Sequence, residues 1–134
     1  VIELSVPISP GELIDKLTIL EIKSQRMTDA TKLANVNREL ELLQATWQQS
    51  RYAKSDVQSE WQGLRRVNEK LWDIEDQIRD QEREQRFDQT FIELARAVYF
   101  TNDERAAIKH TINRKLGSSI VEEKSYASYT PGSP

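Results

Sequence analysis

Val57-Gln-Ser-Glu-Trp-Gln-Gly-Leu-Arg-Arg-Val-Asn-Glu-Lys-Leu-Trp-Asp-Ile-Glu-Asp-Gln-Ile78 decides the fold class. Val57, Leu64, Leu71 and Ile78 recur every seven residues, with Val67 and Ile74 between them. That is the seam of a helix made to lie lengthwise along another. Ser55 and Gln58 read as a capping box at its start. Upstream, Leu33, Val36, Leu40, Leu43 and Trp47 form a second seam of the same kind, which Thr28 or Asp29 can cap. The connector Arg51–Asp56 is short and polar, so helices at about 29–50 and 56–85 read as an antiparallel αα-hairpin. Because that connector has neither Gly nor Pro, one bent helix from 29 to 85 is the alternative. It would have to dimerise to bury both seams.

Working outward, Ser9, Pro10 and Glu12 supply an N-cap, a proline at the first helical position and a capping-box partner for a helix at about 10–27. This helix is apolar on two sides. Leu13, Leu17, Leu20 and Met27 share one face, while Ile19 and Ile22 lie nearly opposite, flanked by Asp15 and Arg26. Such a helix is sandwiched between neighbours, so it belongs at the centre or at a self-association surface. Before it, Ile2, Leu4 and Val6 alternate with Glu3 and Ser5, an extended segment over 1–9 that can pair with the tail near Ile120 and Val121. Beyond the second seam, Asp88 caps a short helix at 89–99 carrying Phe91, Leu94 and Val98. Thr101 and Glu104 form a capping box for a last helix at 102–116, which ends at Gly117. An irregular tail fills 118–134. The expectation is an all-α helical bundle, one domain over 1–134, built on a long antiparallel αα-hairpin.

Composition narrows the function. The 134 residues include no cysteine, which removes disulfide and zinc-ribbon scaffolds and suits a reducing, cytoplasmic setting. The first nine residues are too short and too acidic for a secretory signal. With 22 acidic against 19 basic residues, well mixed, the chain lacks the footprint of a nucleic-acid binder. No apolar run approaches the roughly 20 residues of a membrane span, so membrane insertion is not expected. Glycine-rich phosphate loops, nucleophile elbows and cysteine nucleophiles are absent. The sequence points to no reaction and to no cofactor.

Several groups of residues carry chemistry by position. Glu69, Asp73, Asp76 and Asp80 share one helix face, the arrangement by which all-α nucleotide pyrophosphatases hold magnesium. Lys70, Arg79 and Arg83 beside them favour an exposed charged face, and no metal site is expected. The single histidine, His110, lies among Lys109, Arg114 and Lys115 near a helix C-terminus, where its charge suits the dipole. Arg105, Lys109 and Asn113 line one face of the last helix with Asn102 at its start, an arrangement suited to a small anion. Asp15, on a helix expected to be buried, needs a partner: Lys16, Arg26 or a residue of another helix. Trp61 and Trp72 lie about 20° apart on one side of the second seam. They pack against the first or the last helix or form a ridge for a partner. With Ile19 and Ile22 they are the candidate interface of a homodimer or of another protein partner.

Four motifs together resemble an uncharacterised bacterial family. They are Pro7-Ile-Ser-Pro-Gly-Glu-Leu-Ile-Asp-Lys-Leu-Thr-Ile-Leu-Glu-Ile-Lys23, Leu71-Trp-Asp-Ile-Glu-Asp76, Thr101-Asn-Asp-Glu-Arg-Ala-Ala-Ile-Lys109 and Val121-Glu-Glu-Lys-Ser-Tyr126. The resemblance covers nearly the whole chain and implies a small bacterial or phage protein, with no known activity or site residue to carry over. In the last motif, the run Glu122-Glu123-Lys124-Ser125-Tyr126 sits in a segment without periodicity, so its polar residues either dock the tail or line a site; Glu123, Lys124 and Tyr126 are the candidates for a site. The first helix also resembles the opening helix of helical chorismate mutases in Ile14-Asp15-Lys16-Leu17 and Arg26. Such an enzyme needs more basic groups in a pocket between long helices, for which Lys23, Arg38 and Arg65 are the available residues. The leading reading is a helical interaction or assembly protein. The alternative is a small enzyme or binding domain for an anionic metabolite, with Asp15, Arg26, Asn102, Arg105, Lys109, Glu123, Lys124 and Tyr126 in or near its site.

Overall fold

In the computed structural model, which describes residues 3–131, four helices follow one another: α1 (Pro10–Arg26), α2 (Ala30–Gln49), α3 (Gln58–Arg83) and α4 (Gln89–Leu116). Three of the four starts are capped by side chains. Ser9 accepts from the Glu12 N–H, Asp29 from Lys32, and Asp88 from Thr90 and Phe91. Pro10 occupies the first turn of α1, where its missing N–H costs nothing. Gly117, at φ 67°, ends α4 in the left-handed conformation that glycine adopts without strain. No strand forms among the described residues, and the expected pairing of the N-terminal segment with the tail does not occur there. Ile2 lies outside the described residues.

The all-α bundle with a long antiparallel pair is present, but the pair is α3 with α4. Lys70 reaches Glu104 at 3.9 Å and Lys115 reaches Glu60 at 3.0 Å, so positions rising along α3 meet positions falling along α4. α2 lies along α1 instead of α3 and meets α3 through side chains, with Trp47 edge-on to Trp61 at 5.5 Å. The two seams do not pack lengthwise on each other as the expected hairpin requires: that of α2 lies on α1 and that of α3 on α4 and α1, a choice of partner that a seam alone cannot specify. The reason is α1. With apolar residues on two sides, it takes α2 on one flank and the α3–α4 pair on the other. Leu13, Ile14, Leu17, Trp47, Val57, Leu64 and Ile112 form the core at this junction, with Leu40 and Leu43 packed against it. Ile22, on the second face, is 1% exposed and therefore covered by its own chain.

Three local expectations are corrected. The break between α2 and α3 rules out the single bent helix, and α3 starts after Val57 with no side-chain cap, so Ser55 and Gln58 do not form a capping box. The two short helices expected at 89–99 and 102–116 are one helix of 28 residues. Thr101 lies inside it and is 1% exposed, so burial outweighs the few tenths of a kcal/mol by which Thr, Asn and Asp disfavour a helix interior. The α3–α4 turn instead bends at Gln85, the one non-glycine among the described residues with a left-handed backbone, φ 56°.

α1 and α4 approach most closely at Gly11. Its N–H donates to Asn113 Oδ1 at 2.8 Å, and an added Cβ would lie 2.7 Å from the Lys109 carbonyl oxygen. Gly63, by contrast, has only the Ile108 Cδ1 at 3.4 Å to meet. Gly11→Ala is therefore expected to destabilise the fold by about 1–3 kcal/mol by forcing the helices apart. Gly63→Ala should stabilise it by about 0.5–1 kcal/mol through helix propensity. Urea unfolding of the two variants checks the opposite signs.

Candidate functional site

Where α1, α3 and α4 meet, polar groups replace the apolar core. The Asp15 carboxylate is fully buried. Arg105 grips it side-on, its Nε donating to Oδ1 at 2.9 Å and its Nη2 to Oδ2. Asn68 Nδ2 donates to the same Oδ1 and to Thr18 Oγ1, both at 3.0 Å. A carboxylate withdrawn from water needs such a set of donors. One turn beyond Arg105, Lys109 lies 2.7 Å from Glu12 and 2.8 Å from Glu122 in the tail, and 4.0 Å from Asp15. Burial works against the Lys109 charge, but the hydrogen bonds it donates to Glu12 and Glu122 outweigh it and hold the ammonium above its ordinary pKa. The same contact with Lys109 holds the Glu122 carboxyl below the usual carboxylate range.

This junction brings together Asp15, Arg105, Lys109, Asn102 and Lys124. The last four line a polar cleft of about 250 Å³ with Glu12, Ala106 and Glu122. Asn102 and Arg105 also border a larger groove of about 640 Å³, walled by Ile19, Ile22, Leu71 and Trp72 and edged by Asp76 and Arg79. Tyr126 belongs to a third cleft, where the tail folds back along α4 and Tyr129 packs on Tyr99 and Phe100. Glu123 is exposed and forms no ion pair among the described residues. Within the run Glu122–Tyr126, the contact that docks the tail is made by Glu122, and Glu123, named as a site candidate, stays in solvent.

Other expected partners are elsewhere. Arg26 turns away from Asp15 to Asp73 at 2.6 Å and lies over the Trp72 ring at 5.8 Å. Lys16 approaches Glu12 rather than Asp15. Arg65 is held by Glu21, Glu69 and Gln25, and Arg38 bonds Asn35 on the exposed side of α2, so neither enters a pocket with Asp15 as a mutase-like site requires. The acidic row is divided among arginines, with Glu69 on Arg65, Asp73 on Arg26 and Asp80 on Arg83. Among the described residues no three His, Cys, Asp or Glu side chains gather as a metal site requires. Trp61 packs on Trp47 and donates to Glu21 at 3.3 Å, whereas Trp72 faces the groove.

The profile of DUF6165, a family of unknown function, matches residues 4–134. The chain belongs to that family. The match spans all four motifs on which the resemblance rested, and the family brings no activity with it. No curated protein and no solved structure matches the chain. No helix among the described residues is long and apolar enough to cross a membrane.

A second region stands out by its lack of cover. α1 ends at the level of Asp73, and from Glu75 to Phe100 no residue is buried. Over that stretch Ile78, Phe91, Leu94 and Val98 are half-covered, while Phe87 is 52% and Ile92 47% exposed. The α3–α4 pair therefore overhangs the bundle, with only the tail returning over it at Val98, Tyr99 and Phe100. Nothing in the sequence marked this, because the length of α4 was hidden by its internal Thr101 cap signal.

Removing Asp15 leaves Arg105 half-buried and unpaired. Asp15→Ala is expected to cost about 3–5 kcal/mol, and the double variant Asp15→Leu/Arg105→Met should regain most of it. Denaturant titration measures both. The tail contact has its own pH dependence. Because the folded-state pKa of Glu122 is depressed, its contact stabilises above the ordinary carboxylate pKa and is lost as pH falls through the depressed value. Amide NMR should show residues 119–126 losing their dispersed shifts in acid while α1 and α4 keep theirs. In Glu122→Gln that transition should disappear.

Proposed function

We propose that the protein is a helical assembly protein that pairs with a second copy of itself through the overhanging end of α3 and α4. One observation carries this reading: short of the tail at Val98 to Phe100, the apolar residues Phe87, Phe91, Ile92 and Leu94 have no third helix to cover them. Two helices bury only the strip between them, and their flanks stay in water unless another pair packs alongside, as in a four-helix bundle. Phe87, Phe91, Ile92 and Leu94 would gain about 25 cal/mol for each Å² of apolar surface covered. The flanking charges are of both signs, with Arg79, Arg83, Arg86 and Arg96 among more numerous acids, which suits pairing between identical surfaces.

The interface first considered, at Ile19, Ile22, Trp61 and Trp72, is less suited to this role. Ile22 is enclosed and Trp61 is packed on Trp47. The cytoplasm is the proposed setting, supported by the cysteine-free sequence.

Light scattering across about a hundredfold range of concentration tests the pairing, since mass action makes a dimer concentration-dependent. The wild type should approach the dimer mass. Phe87→Ser/Ile92→Glu, at exposed positions, should remain monomeric with unchanged helix content by circular dichroism. A wild type that is monomeric throughout, or a double variant that dimerises equally well, contradicts the proposal.

A further inference from the structure

The cleft between α4 and the tail holds three polar groups without partners among the described residues. Arg105 uses Nε and Nη2 on Asp15, which leaves Nη1 unbonded. The Asn102 amide has no hydrogen bond, and Lys124 has no ion pair, lying instead 5.9 Å from the centre of the Tyr126 ring. All three border the same cleft of about 250 Å³, together with Lys109. Lys124 is exposed and Asn102 and Arg105 are partly so, and together their unused donors present to one space the complement of an acceptor that displaces solvent.

Charge selects what that acceptor is. Arg105, Lys109 and Lys124 face Glu12, Asp15 and Glu122, three cations against three carboxylates. Glu12 is anchored on α1 and Asp15 is locked by Arg105 and Asn68, whereas Glu122 comes from an irregular tail and is held by Lys109 alone. If Glu122 swings away, one positive charge is left over. A single carboxylate restores the balance, and a dianion overshoots it. The size of the neighbouring space adds a second requirement. The groove that shares Asn102 and Arg105 with the cleft is walled by Ile19, Leu71 and Trp72, apolar and aromatic surface that suits a flat hydrocarbon body.

We infer that the junction binds a small organic monocarboxylate. Its acid group replaces Glu122 on Lys109 and takes the free donors of Arg105, Asn102 and Lys124, and its apolar body lies in the groove against Trp72. The tail residue Glu122 is then an internal competitor that occupies the acid position until the ligand arrives. The groove adjoins the overhang at Glu75, Asp76 and Arg79, while the acid position at Lys109 lies outside it, and the inference does not rest on self-association.

Isothermal titration of the full chain with 3-phenylpropionate, acetate and inorganic phosphate tests the inference. 3-Phenylpropionate should bind about tenfold or more tighter than acetate, and phosphate no tighter than acetate. Glu122→Ala should tighten 3-phenylpropionate binding about threefold to tenfold, and Lys124→Ala should weaken it by a similar factor. Both substitutions lie in the exposed tail and leave the Asp15–Arg105 pair in place. Trp72→Ala should weaken 3-phenylpropionate but not acetate. No binding of 3-phenylpropionate to either the wild type or Glu122→Ala overturns the inference. So does phosphate as the tightest of the three probes, or an affinity that neither tail variant changes.

Discussion

The carboxylate of Asp15 is the constraint on which the arrangement of helices depends. It has no access to water, so every donor that stabilises it must come from the protein at a fixed distance and angle. Arg105 supplies two from α4 and Asn68 one from α3, while Asp15 itself sits on α1. Three helices are thereby held in one register. A shift of α4 by a single residue would turn Arg105 about 100° away and leave a buried charge without a partner. Gly11 permits this closeness at the start of α1, where a Cβ would collide with the backbone of α4. A buried ion pair contributes little net stability compared with apolar residues of the same shape. Its effect here is on alignment, because apolar seams alone tolerate sliding.

That distinction explains how much of the fold was legible in the sequence. The seams of α2 and α3, the caps at Ser9, Asp29 and Asp88 and the stop at Gly117 are local patterns, and each appears where its chemistry placed it. Which seam packs on which is not local. Leu33 to Trp47 would serve equally well against α3 or against α1, and only the two-faced character of α1 decides the matter. The capping signal at Thr101 misled for the opposite reason. It is a local preference worth a few tenths of a kcal/mol, and the burial of Thr101 overrides it.

The candidate site shows the same division. A carboxylate on a buried helix announces that it needs a partner, and Asp15, Arg105 and Lys109 were each conspicuous on their own helix. The 90 residues separating Asp15 from Arg105 leave no spacing by which to match them. Glu122 was legible only as one of a polar run: its neighbour Glu123 is chemically identical, and in a segment without periodicity only three-dimensional placement tells the two apart.

The polar junction and the overhang are consequences of one geometry. α1 is 17 residues long and its partners α3 and α4 are 26 and 28, so it covers them over only part of their length. Where α1 lies on the pair, three helices enclose a space small enough to strip water from Asp15. Beyond Arg26 that enclosure ends, and α3 and α4 continue with only the tail near Tyr99 and Phe100 against their flanks. The groove beside Trp72 forms at this boundary, half covered by α1 and half open. Lengthening α1 would close the overhang and remove the groove together. The short first helix therefore leaves both an apolar surface for another chain and a partly dry pocket with unused donors at its edge.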